Sequence, residues 1–198
     1  MKLSARALPV LLVLALVLLP LQAAPPPATT TFALDAVHST ALFRIIHMGA
    51  GASWGRFNEL KGQVVWSDAD PSQCSLEVEV QAASIDTANA KRDEHLKGPD
   101  FFNARQFPTL SFKSAAFQKQ GEGYAVRGQL TLHGQTKEVV ARAVKTGEKD
   151  GGPRMGHRAG WEATLTIQRS EFGMSYGVKE GVLGDEVRII VALEGVKQ

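Results

Sequence analysis

The chain reads as an all-β protein, an eight-stranded antiparallel barrel with a short helical insert at about 88–104. Two observations predict this. Apolar side chains recur at every second position through run after run, the period of a strand with one buried face. Turn-forming clusters separate several of these runs, and outside the N-terminus no helix-period segment is longer than the insert. Neighbouring strands joined by short turns form a meander, and closing it into a barrel hides the two edges.

The first 23 residues stand apart. Lys2 and Arg6 form a basic start, Ala7 to Leu19 is apolar apart from the break at Pro9, and Ala23 and Ala24 follow, the three-part pattern of a secretory signal. The cleavage position is open: cutting after Ala23 leaves Leu21 where a small residue is preferred, and cutting after Ala24 leaves Pro25 first. Residues 24–31 (APPPATTT) read as a stiff spacer, and 32–198 as the folded domain.

Within that domain the first strand places Ala41, Phe43, Ile45 and His47 on one face. The second places Val64 and Trp66 there, and the third Leu76, Val78, Val80 and Ala82. Leu110 and Phe112 mark the fourth, Val126, Gly128, Leu130 and Leu132 the fifth, and Val139, Ala141 and Ala143 the sixth. Trp161, Ala163, Leu165 and Ile167, then Val187, Ile189, Val191 and Leu193, complete the set. Turns are expected at 68–71, 120–123, 133–135 and 148–152. An eight-stranded barrel is about wide enough to be filled by side chains or to hold one slender ligand. The small inward residues Ala41, Ala82, Gly128, Ala141, Ala143 and Ala163 argue for room, unless large neighbours fill it.

Between the third and fourth strands the alternation stops. Ser84 to Ser114 crowds Asp86, Lys91, Arg92, Asp93, Glu94, Lys97, Asp100 and Arg105 together with His95 and the pair Phe101-Phe102. Two readings of Arg92, Asp93 and His95 stand side by side: they tie the insert together through charge-assisted bonds, or they meet a ligand head group. Phe101-Phe102 and Phe107-Pro108 either seal a barrel end or line its mouth. His47, on an apolar face, is either a satisfied core residue or a polar contact in a cavity.

Charge and spacing exclude other classes. Without residues 1–23, Lys+Arg falls from 22 to 20 against 20 Asp+Glu, so no cationic excess points to nucleic acid. Cys74 is the single cysteine and has no intramolecular disulfide partner, so it reads as a small packed residue. The five histidines lie too far apart for a metal motif, and Gly49-Ala50-Gly51 lacks the glycines and helix of a phosphate loop. Ser39 beside His38, Ser84 near Asp86 and Ser170 near Glu171 make no nucleophile elbow. No catalytic residues, no metal and no cofactor are therefore expected.

The ordered motifs Asp35-x-x-His38-Ser39, Phe43-x-Ile45-x-His47, Gly55-x-Phe57 with Gly62, SIDT at 84–87, RDEHL at 92–96, DFFN at 100–103, Phe107-Pro108, LTLHGQTK at 130–137 and RSEFGM at 169–174 resemble the YceI-like family. The resemblance covers 32–196. It implies a lipocalin-like barrel, periplasmic or secreted, with a helical insert after the SIDT strand and no general catalytic set. It further implies a long apolar ligand: a polyisoprenoid, an isoprenoid quinone or precursor, or a fatty acid or its amide. Leu183 to Glu186 keep the family's last turn, whereas the loop Tyr176 to Gly181 has no counterpart of known role.

Under that reading Phe43, Ile45, Val64, Trp66, Phe112, Leu132, Trp161 and Ile167 contact the tail. Phe101 and Phe102 border it, and His47, Arg92, Asp93, His95 and Arg169 serve the polar end. Each buried methylene is worth about 0.8 kcal/mol, so affinity comes from the chain and selectivity from the polar end. Two other functions stay open: an enzyme acting on a lipid head group with His47 or His95 as base, and a packed module delivering to a membrane redox protein. A homodimer is open as well.

Overall fold

The computed structural model describes residues 28–198. The signal expected at 1–23 and its cleavage site lie outside the described residues.

Among the described residues, eleven strand segments build one closed antiparallel sheet. They are β1 (Thr30–Leu34), β2 (Thr40–His47), β3 (Gly51–Phe57), β4 (Leu60–Trp66), β5 (Ser75–Gln81) and β6 (Ile85–Asp86), then β7 (Thr109–Gln120), β8 (Gly123–Leu132), β9 (Gln135–Asp150), β10 (His157–Gln168) and β11 (Leu183–Lys197). The first six pair up end to end. β1 lies between β4 and β11, while β2 lies between β3 and the other half of β11, so β1 and β2 are two halves of one stave. By the same logic β3 continues into β4, and β6 continues β5. Three broken staves and five continuous ones make eight, and β1 closes the ring on β11 through Phe32 opposite Lys197 and Leu34 opposite Gly195.

The expected strand count holds because the sequence reading caught one half of each broken stave: β2, β4 and β5. β1 and β3 escaped it. β1 is five residues long and begins at Thr30, inside the stretch read as spacer. In β3 the inward positions Ser53 and Gly55 carry no apolar side chain to mark the alternation. The turns fall where expected at 121–122 and 133–134. The turn expected at 148–152 lies later, because β9 runs to Asp150 before a single helical turn at Gly152–Met155.

Registers explain which side chains face inward. Phe43 pairs with Gly55 and Ile189, and Ala163 pairs with Ala143 and Val191, so small and large residues meet across the inner wall. A bulge between Ser114 and Ala116 shifts the parity of β7, which is why Phe117 turns inward after Leu110 and Phe112.

The insert contains one helix, α1 (Ala90–Lys97). Asn89 caps it by accepting from the Arg92 amide at 3.0 Å, and Gly98 ends it. The remainder to Arg105 is turns, so the helical part is shorter than 88–104. Eight residues are too few to hold a helix alone. Side-chain anchors, described below, hold it against β6, where it covers an otherwise open sheet edge.

Candidate ligand-binding site

A cavity of about 480 Å³ runs down the barrel. Along β10 it extends from Trp161 to Ile167, about six residue steps of ~3.3 Å, or about 20 Å. Its size lies within the range of small-molecule pockets.

The floor is aromatic. Trp66 stands 5.1 Å from Tyr124, 6.2 Å from Phe117 and 5.7 Å from Trp161 between ring centres, and Phe32 meets Trp161 at 5.3 Å. These rings plug the barrel beneath the lumen. Trp66 donates its indole N–H to Asp68 at 2.7 Å, whereas the buried Nε1 of Trp161 has no acceptor among the described residues. Cys74 lies buried in the same plug, its Sγ 3.3 Å from the Ser67 amide, and burial pushes its thiol pKa up.

Above the floor the wall is aliphatic and aromatic. Phe43, Ile45, Val64, Phe112, Leu132 and Ile167 line it together with Trp66 and Trp161, so every residue assigned to the tail faces the lumen. Room comes from Ala41, Ala141, Ala143 and Ala163, which also line it. Gly128 gives none: a methyl there would sit 2.5 Å from the Phe112 ring and 2.5 Å from the Lys113 carbonyl oxygen, so Phe112 already occupies that hollow. Phe43 fills the hollow over Gly55 in the same way. Ala82 is fully buried but lies at the strand break, not in the lining.

The mouth gathers most of the polar lining. Arg92 donates from Nε to Thr87 Oγ1 and from Nη2 to the Thr87 carbonyl, each at 2.7 Å. Asp93 accepts from the Thr87 amide at 2.9 Å and from its hydroxyl. Thr87 thus clamps the start of α1 to the end of β6, and of the pair only Arg92 also borders the cavity. Asp93, expected at the polar end, points its carboxylate at Thr87 instead, because two donors of one residue reach it at once. His95 bonds Asp100 at 2.9 Å, with its ring edge-on to Phe101 at 5.0 Å and to Tyr176 at 5.2 Å. It pins the insert to the loop after β10.

Arg169 is buried and borders the cavity, yet its guanidinium is committed. It donates to the carbonyls of Gly184 at 2.9 Å, Met174 at 2.7 Å, Tyr176 at 2.8 Å and Leu183 at 3.3 Å. Burial pulls its pKa below the ordinary value, and Asp185 offsets part of this. It therefore shapes the mouth loop. His47 is not a core residue; it is exposed at the rim. Phe101 and Phe102 both line the lumen, and Phe102 reaches Phe57 at 5.4 Å. Phe107 does not line the cavity; it packs on His133 at 4.9 Å over the β8–β9 turn.

Sequence reasoning missed Ser53, Trp54, Thr87, Leu96, Tyr176 and Val182, all at the mouth. Thr87 and Leu96 were within reach, as they end the SIDT and RDEHL motifs. Tyr176 and Val182 belong to an irregular loop whose placement no period reports.

A second constellation lies on the outer wall. Asp35, His38 and Glu194 bring ligand-type atoms within 4.8 Å of one another. The Arg158 guanidinium already bridges the two carboxylates, at 2.7 Å from Asp35 and 2.5 Å from Glu194, so a cation is in place. Arg158 first, then His38, holds the Asp35 carboxyl far below the usual carboxylate range. Ser39 Oγ is engaged with the Glu194 backbone on both sides, donating at 3.2 Å and accepting at 3.0 Å. The Asp-x-x-His-Ser motif is thus a clasp that ties the break between β1 and β2 to β11.

A UPF0312 protein of Yersinia pestis (strain Pestoides F) is 37% identical over 160 residues, 81% of this chain and 82% of that protein. The structure of Burkholderia cenocepacia BcnA matches with a TM-score of 0.73 at 24% identity, covering 81% of this chain and 98% of BcnA. A polyisoprenoid binding domain from Saccharophagus degradans, implicated in plant cell wall breakdown, matches with a TM-score of 0.64 at 14% identity over 84% of this chain and 98% of its own. At those identities the two structures share the fold. The YceI-like domain matches residues 32–195, and the chain belongs to that family.

Proposed function

We propose that this protein is a binding or carrier protein for a long apolar ligand of the polyisoprenoid or isoprenoid quinone class, working outside the cytoplasm after removal of its first 23 residues. One observation carries the reading: an apolar lumen that follows β10 for about 20 Å of strand, floored by aromatic rings and open beside a polar rim. A chain burying about ten methylenes there gains about 8 kcal/mol before ordering costs. The polyisoprenoid binding domain of the same fold adds support. Binding is favoured over turnover because His95, one of two candidate bases, holds Asp100, Phe101 and Tyr176 together at the lid.

Organic extraction of protein exported in its native host, followed by mass spectrometry, should release a prenyl-chain lipid at near one per chain. Ala163→Phe, which fills the bay between Ala143 and Val191, should lower that occupancy several-fold with the fold intact. An extract free of lipid, or equal loading in the variant, would overturn the carrier reading; a fatty acid or amide in the extract would replace the ligand class.

A further inference from the structure

Large apolar side chains stand in solvent around the cavity mouth. Met48 is 65% exposed, Trp54 48%, Tyr176 48% and Val182 40%. They come from the β2–β3 hairpin and the loop before β11, and the Met48 amide donates to the Val182 carbonyl at 2.8 Å, so the two segments form one rim. Met48 occupies the tip with a positive φ of 51°, beside Gly49 at 64°. Hairpin tips in that conformation normally take Asn, Asp or Gly; here the position presents a bulky apolar side chain to water.

Behind this rim lies a cationic belt. Arg44 pairs across with Trp54 on the outer face, and Arg188 pairs with Arg44 on its other side. Among the described residues neither arginine has an ion-pair partner within 4.0 Å. Lys179 and Glu180 belong to the loop before β11, and Glu186 lies on β11 two residues nearer the mouth than Arg188. Arg44 lies four residues back from Met48, about 13 Å along the strand. The order is apolar tip first, then one shared band of aromatic side chain and guanidiniums, because the register sets Trp54 level with Arg44 and Arg188. That order matches a bilayer interface, where apolar groups enter the acyl boundary, Trp and Tyr sit at the head groups and cations meet phosphates.

We propose that the rim docks on an anionic lipid bilayer, bringing the cavity mouth against the surface from which an apolar ligand leaves or enters. The proposal rests on the carrier reading for its purpose but not for its test.

The full exported chain is sedimented with vesicles of phosphatidylglycerol and phosphatidylethanolamine, and separately with pure phosphatidylcholine. Trp54 is also a reporter, since Trp66 and Trp161 are buried; its emission should shift to the blue on anionic vesicles. Met48→Ser/Trp54→Ser should weaken binding at least five-fold, and Arg44→Gln/Arg188→Gln should erase the preference for anionic vesicles and its salt dependence. Thermal melts confirm that each variant folds. No binding by the natural chain, unchanged binding by the Met48/Trp54 variant, or a full anionic preference in the arginine variant overturns the proposal. So does a concentration-dependent dimer that the Met48/Trp54 variant abolishes, without vesicle binding, which would assign the rim to a second copy. Vesicle binding by lipid-free protein leaves the docking standing and removes only the carrier reading.

Discussion

Asp35 shows how one side chain joins distant parts of the wall. Its carboxylate takes Arg158 from β10 and His38 from its own loop, and its amide bonds the Glu194 carbonyl at 2.8 Å. Because its folded pKa is depressed, its stabilisation is present above the unfolded value of about 3.9 and is lost as pH falls through the folded one. Asp35→Asn should cost about 2 kcal/mol at pH 7, and the gap to the natural chain should close as urea titrations move below pH 4. Gly128→Ala should cost about 1–3 kcal/mol by overpacking, since the Lys113 carbonyl cannot yield as a side-chain tip would. Cys74 should react with a disulfide reagent far more slowly in the folded protein than in urea. The inward parity of Phe43, Phe112 and Gly128 was legible from a two-residue period. That Phe112 occupies the space left by Gly128 was not, because a pairing between strands brings them together.

Among the elements, α1 depends most on its anchors. Asn89, Arg92 and Asp93 tie its first turn, and His95 with Tyr176 ties its last to the mouth loop. Asp93→Ala leaves the Thr87 amide and hydroxyl without their acceptor, so the lid should loosen and a fluorescent apolar probe should leave several-fold faster. Probe capacity should stay unchanged, because Asp93 does not line the lumen. The charge density of this insert marked it as the place where the barrel is covered. Its internal wiring was less legible: the pattern left Arg92 and Asp93 open between ligand and structure, and the geometry assigns Asp93 to Thr87. Arg169 was marked from sequence as a polar-end residue, but its role in holding the mouth loop was not legible, since the carbonyls it binds belong to residues up to 15 positions away.

Over the whole molecule, apolar filling and stability are linked. A ligand held only by the folded barrel adds about 2.7 kcal/mol at a hundredfold excess over Kd, so delipidated protein should melt several degrees below the loaded form, and the difference should shrink in Ala163→Phe. The barrel closure was legible because alternation and turns define neighbouring strands. What alternation does not record is that three adjoining staves break at 35–39, 58–59 and 82–84. These breaks interrupt the ladder on one side, so a single stave need not open as a unit. Amide exchange along the first stave should therefore fall into two rate classes, slow at Phe32 against the aromatic plug and faster from Ile45 onward. The container would then be rigid at its base and pliant at its lip, able to admit a guest without unfolding the wall that grips it.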